Sequence, residues 1–132
     1  MRTFQVLDHF THNPQTGTLH ITTQNGSPSQ LAFQREGDYL ALSVSYGPVE
    51  IALRPRFQEV VRTLTHLRPL DGLQTSRQVG TAEAYLAAGL HSDGRLILRP
   101  TIVQDATGHL SFNLELTSET RTALYEWLGI KP

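Results

Sequence analysis

Three histidines near the start of the chain have a spacing that metals use. Asp8, His9 and His12 read D-H-x-x-H, and His20 follows on the next predicted strand. With Phe10 set opposite Leu19 in a first hairpin, His9 lies directly across from His20, and two imidazoles on neighbouring strands can share a divalent metal. A metal site at His9, His12 and His20 is therefore one expectation. Against it stands a solvated outer strand face, which needs no further ligand; the ligand set is not closed, so the solvated face is the reading taken. His66, His91 and His109 fall at a helix end or in turns and read as surface residues.

A second constellation is basic. Between Arg54 and Arg99 there are seven Arg against four acidic residues, a local balance of plus three in a chain whose formal net charge is −1. Arg95 and Arg99, four apart, share one face of a strand. Flanked by Tyr39, Tyr46 or Tyr85, such a face could stack bases and hold phosphates, with Arg54, Arg56, Arg62, Arg95 and Arg99 as the nucleic-acid-binding set. The competing reading has the Arg side chains solvated and the Tyr rings partly in the core. Aromatic content of only 8% and the absence of a long-range positive field favour it.

Nucleophilic, hydrolytic and nucleotide chemistry have less to stand on. The chain holds no Cys, which excludes a disulfide, a thiolate nucleophile and any Cys-bearing zinc or iron-sulfur site. Ser, His and Asp occur, but without G-x-S-x-G, H-E-x-x-H or paired carboxylates in one frame. Neither G-x-x-x-x-G-K-[ST] nor G-x-G-x-x-G is present. A protein that is not an enzyme, has no catalytic residues and takes no cofactor is the expectation.

The scaffold for these residues is one domain spanning residues 1–132, long enough to bury roughly two thirds of its unfolded surface. Apolar residues make up 39% and charged residues 17%, and the remainder is rich in Thr, Ser, Gln and Gly, as in strand-and-turn proteins. The opening MRTFQVLDHFTHNP carries a charge and two His with no apolar run, so neither a secretory signal nor a membrane span is read there. A cytoplasmic protein without membrane insertion is expected.

Turn formers divide the chain into strands. Asn13 to Gly17 separates 3–12 from 18–23, with Phe4, Val6 and Phe10 expected to face Leu19 and Ile21; Asn25-Gly26 and Ser27-Pro28 precede a strand at 30–35. Gly37-Asp38 leads to 39–45 and Gly47-Pro48 to 49–53, where Val49, Ile51 and Leu53 alternate. Phe57, Val60, Val61, Leu64 and Leu67 then follow helical spacing, with Pro55 in the first turn and Pro69 and Gly72 as stops. Residues 69–80 form either a connection or a poorly anchored edge strand. Strands at 83–90, 95–98 and 109–116 make a meander, with turns at Ser92 to Gly94 and at 105–108. A second helix follows, capped by Ser118, carrying Leu124, Trp127 and Leu128 inward and ended by Gly129.

A strand thus runs straight into an amphipathic helix twice, in VEIALRPRFQEVVRTLTHL and in SFNLELTSETRTALYEWLG. Superposing Ile51-Ala52-Leu53 on Leu114-Glu115-Leu116 aligns both joints without a gap. A competing alignment joins Tyr39-Leu40-Ala41 to Tyr85-Leu86-Ala87 and equates a helix start with a strand. The fold class expected is α+β: two β-meander halves of four strands, 1–68 and 73–132, each followed by an amphipathic helix, with a mostly antiparallel sheet packed on the helices.

This layout resembles the single-stranded-DNA-binding transcriptional-regulator-like fold, which includes the plant Whirly proteins and small cyanobacterial proteins. The resemblance is one of topology over nearly the whole chain. The family's lysine-rich strand motif has no counterpart, and no functional residue is carried over. The function expected first is a non-enzymatic accessory or adaptor protein that binds a protein partner through a sheet face or an exposed edge strand. The alternative is a regulatory protein that binds single-stranded nucleic acid through the Arg-bearing surface.

Overall fold

Alternating burial, rather than propensity alone, decides where this chain is extended. The computed structural model describes residues 4–23, 29–68, 77–104 and 108–131. In order, the elements are β1 (Gln5–Leu7), β2 (His9–His12), β3 (Leu19–Thr22), β4 (Ser29–Glu36), β5 (Tyr39–Tyr46), β6 (Val49–Leu53), α1 (Phe57–Thr65), β7 (Arg77–Gly80), β8 (Ala84–Leu90), β9 (Leu96–Gln104), β10 (Gly108–Ser111), β11 (Leu114–Leu116) and α2 (Ser118–Leu128). The class is α+β with two mostly antiparallel sheets and two helices. No described helix is long and apolar enough to cross a membrane.

The first sheet is an antiparallel meander in the order β2-β3-β4-β5-β6, and the second runs β1-β11-β9-β8-β7, with β10 also paired to β9. The duplicated unit of four strands and a helix is not the arrangement found: among the described residues six strands precede α1 and five lie between α1 and α2. The two joints differ as well. β6 is an outer strand of its sheet, whereas β11 lies between β1 and β9.

The strand expected over 95–98 runs on as β9 to Gln104, and two further boundaries depart from the sequence reading for identifiable reasons. The strand expected over residues 3–12 divides at Asp8, because β1 leaves the hairpin and pairs in parallel with β11, Leu7 opposite Leu116. Leu7 is fully buried there, while Val6 beside Glu115 is exposed, so Val6 does not face Leu19 and Ile21. The strand expected over 109–116 is interrupted at Phe112 and Asn113. β10 and β11 keep one register against β9, but Pro100 lies opposite the interruption. Phe112 N–H donates to the Pro100 carbonyl at 3.2 Å, and the proline has no N–H to return.

The core lies between the sheets and under the helices. Leu31, Phe33, Leu40, Leu42 and Val44 point inward at every second position of β4 and β5, and meet Leu86, Leu96, Leu98, Leu114 and Leu116 of the second sheet. Phe57, Val60 and Leu64 of α1, and Leu124, Tyr125 and Leu128 of α2, close it. Trp127 packs beside the rings of Phe33 and Phe57, with centroids 6.1 and 6.5 Å away, and donates its indole N–H to the Gly17 carbonyl at 2.9 Å. That contact fastens α2 to the β2–β3 loop. Tyr125 Oη–H donates to the Leu64 carbonyl at 3.2 Å, satisfying one of the last acceptors of α1.

Both helix starts differ from expectation: Pro55 lies outside α1 rather than in its first turn, and the cap of α2 falls one residue earlier. Arg56, after Pro55, is the N-cap of α1, and the Phe57 N–H finds the Asp38 carbonyl at 2.8 Å. Thr117 rather than Ser118 caps α2, since its hydroxyl accepts from Thr120 N–H while Ser118 Oγ–H donates to the Asp93 carbonyl. Gly129 closes α2 at φ +83°, a conformation that glycine adopts without strain. The expected breaks at Asn25 to Pro28, at Pro69 and Gly72, and at 105–107 lie outside the described residues.

Candidate docking edge

Five described strands have an unpaired side: β2 and β6 in one sheet, β1, β7 and β10 in the other. Four of them are short, with three residues in β1 and four in β2, β7 and β10. β6 has five residues, pairs with β5 without a bulge from Leu53 to Val49, and carries Val49, Ile51 and Leu53. Edge strands are usually shortened, bulged, covered or given charges; β6 is neither bulged nor lysine-bearing, its one charge is Glu50, and no described strand pairs with its outer side.

Its free hydrogen-bonding groups follow from the pairing. Leu40 N–H donates to the Pro55 carbonyl at 2.8 Å, which makes these two a hydrogen-bonded pair. Antiparallel ladders alternate, so Leu42–Leu53, Val44–Ile51 and Tyr46–Val49 are hydrogen-bonded pairs in the same register. Glu50 and Ala52, lying between them, direct their N–H and C=O away from β5. No described strand is hydrogen-bonded to them on that side, although β8 and β9 of the second sheet pass close to β6.

That side is hollow. A cleft of about 620 Å³ lies between Glu50, Ile51 and Ala52 on β6 and Ile102, His109 and Leu110 on β9 and β10. A further hollow of about 230 Å³ continues it past Leu53 and Pro55, against Val79, Gly80 and Ala84. Its far wall is shaped by Gly80, whose φ of +126° and 2.5 Å approach of a built Cβ to the Ala84 carbonyl leave no room for a side chain. Apolar surface gathers around the cleft: Val49 is 42% exposed, Tyr46 42% and Leu110 45%, with Tyr46 against Phe112 at a centroid distance of 6.5 Å.

The histidines do not converge as expected. Asn13 N–H donates to the Thr18 carbonyl at 2.9 Å, and Asn13 Oδ1 accepts from Gln15 N–H at 2.9 Å, so a four-residue loop closes at Asn13–Thr18. This sets His9 opposite Thr22 and His20 opposite Thr11, and turns His12, opposite Leu19, to the other face. Among the described residues no group of three or more His, Asp or Glu is placed to hold a metal ion.

Of the five arginines, Arg54 and Arg56 lie in the β6–α1 connection, Arg62 on α1, Arg95 in the β8–β9 turn and Arg99 on β9. Arg54 Nε meets Glu36 at 3.0 Å, and its guanidinium lies over the Tyr39 ring at 4.8 Å, with that of Arg56 at 5.7 Å. Arg62 is exposed on α1. Arg95 lies in the β8–β9 turn, just outside β9, and so does not share a strand with Arg99 as expected; it contacts Asp93 at 2.8 Å and Glu115 at 2.6 Å, and Arg99 Nε on β9 donates to Asn113 Oδ1 at 2.7 Å. Sequence reasoning named an exposed edge but missed Glu50, Ala52, Ile102 and Leu110. Only strand order reveals that β6 is outermost, so no local signal marks them.

Taken together, the fold and this surface define an α+β domain of two mostly antiparallel sheets, in which the edge of β6 borders a cleft. No known family model matches the chain, and no curated protein or solved structure does so either.

Proposed function

We propose that this chain is a non-enzymatic accessory protein that binds a protein partner by adding a partner strand to β6. The observation that carries this reading is the edge at Glu50 and Ala52, unpaired among the described strands and opening on a cleft lined by Ile51, Ile102 and Leu110. Main-chain groups of an extended segment supply affinity in such a mode, and the cleft walls supply selectivity. The single-stranded nucleic-acid reading keeps the Whirly-like resemblance as its support. Arg54 and Arg95 already pair with carboxylates, which lowers the charge they can offer phosphates, and Arg99 Nε is held by the Asn113 amide.

A photo-crosslinking residue at Val49, compared with one at the exposed Glu126 of α2, tests the reading in lysate with and without nuclease. A protein adduct formed at position 49, missing at 126 and indifferent to nuclease, is the expected result. Recovery of nucleic acid with no adduct at 49 would move the arginines to first place.

A further inference from the structure

The surroundings of β6 constrain what the added strand carries, given the docking reading above. We propose that the occupant is an extended segment of another protein running antiparallel to β6, with a bulky apolar residue opposite Ala52, an aliphatic residue opposite Ile51 and a basic residue opposite Glu50. From N- to C-terminus the segment therefore reads bulky, aliphatic, basic.

The position opposite Ala52 lies on the outer face of the first sheet. Ala32, Ser43 and Ala52 stand abreast on β4, β5 and β6, and with Ala41 they floor a hollow of about 250 Å³. A strand beside β6 places its Cβ within about 5 Å of that of Ala52, and an aromatic ring there is long enough to lie across the alanine toward Ser43. No side chain on β6 obstructs it, because position 52 is alanine.

Opposite Ile51 the segment's side chain turns to the other face. There the cleft offers Ile102 and Leu110, the latter 45% exposed, so burial of an aliphatic group covers apolar surface on both sides. The position opposite Glu50 meets a carboxylate that makes no ion pair with any described residue. A Lys or Arg opposite it gives a cross-strand pair of opposite sign, and an acidic residue gives repulsion. Glu50 also disfavours a polyphosphate backbone in the same cleft. Antiparallel addition continues the pairing already present throughout this sheet.

Selection of random phage-displayed dodecapeptides on the purified full chain, followed by titration of the synthetic consensus, tests this. The expected consensus is bulky-aliphatic-basic. N-methylation of the residue opposite Ala52 removes an amide that faces β6 and weakens binding about tenfold or more. N-methylation one residue later, opposite Ile51, is tolerated because that amide faces away. Glu50→Lys exchanges the basic preference for an acidic one, and Ala52→Trp, checked for unchanged thermal unfolding, fills the hollow and abolishes selection. A consensus of helical period, equal tolerance of both N-methyl peptides, pairing of two copies of the chain through β6, or no enrichment would each overturn the proposal. If crosslinking at Val49 succeeds while the consensus fails, the docking reading stands and this inference falls; if both fail, both fall.

Discussion

The hydroxyl of Thr120, in the first turn of the last helix, donates to the carbonyl of Leu7 in the first strand at 2.8 Å, across 113 positions of sequence. Both residues are fully buried. The bond is the polar counterpart of the parallel pairing of β1 with β11, and it holds the start of the chain against the cap of α2. Thr117 N–H also approaches the Leu7 carbonyl, at 3.4 Å, so removing the Thr120 hydroxyl does not strip that acceptor of every donor.

Thr120→Val keeps the shape and deletes the donor. The expected loss is about 1 kcal/mol, rising toward about 2 if the weaker Thr117 contact does not tighten. Urea unfolding of the two proteins measures it, and hydrogen exchange at the β1 amides locates it. An unchanged midpoint with unchanged β1 exchange would mean that this bond does not hold the strand.

Arg95 and Glu115 form a contact with unequal exposure: the Glu115 side chain is 10% exposed and that of Arg95 42%. Arg95→Ala leaves a nearly buried carboxylate without its cation and is expected to cost about 1–3 kcal/mol, discounted from a fully buried pair for the exposure of the arginine. Glu115→Gln retains the shape and costs less. The double variant is expected to lose less than the two single losses added, as a urea-denaturation cycle would register. Additive losses would show the pair to be independent. Charge reversal at Arg95 sets a second carboxylate beside Glu115, so it perturbs stability before it reports on nucleic-acid binding.

The carboxyl of Asp93 is held below its ordinary range, chiefly by the hydrogen bond from the Arg95 backbone N–H, with the Arg95 guanidinium adding to it against a smaller opposing effect of desolvation. A depressed folded-state pKa means that the unfolded chain binds more protons in acid. The contribution is therefore complete above the unfolded value of about 3.9 and is lost as pH falls through the folded one. Thermal unfolding of wild type and Asp93→Asn between about pH 7 and about pH 3 should converge toward the acid end. A constant difference across the range would assign the effect to shape rather than charge.

Much of the local architecture is legible in the residues. β6 and α1 lie where Val49, Ile51, Leu53 and then Phe57, Val60 and Leu64 change period from two to nearly four. The hairpin turns at Gly37-Asp38 and Gly47-Pro48 likewise bound β4, β5 and β6 as read. The His9 register was less legible, because the Asn13 side chain closes a loop whose length periodicity does not state.

The partition of the strands, and with it the candidate site, belongs to the tertiary structure. Alternation states which side of a strand is buried, but not which strand lies beside it. That β1 departs to pair with β11, that Pro100 interrupts the facing strand, and that β6 ends its sheet are outcomes of burial shared between distant segments. By itself the sequence determined period, turns, the two helices and the absence of thiol chemistry, all of which depend on a residue and its near neighbours. Packing alone decided that the amides and carbonyls of Glu50 and Ala52 face an open cleft, since which strand ends a sheet depends on how all the strands pair and not on the residues of that strand.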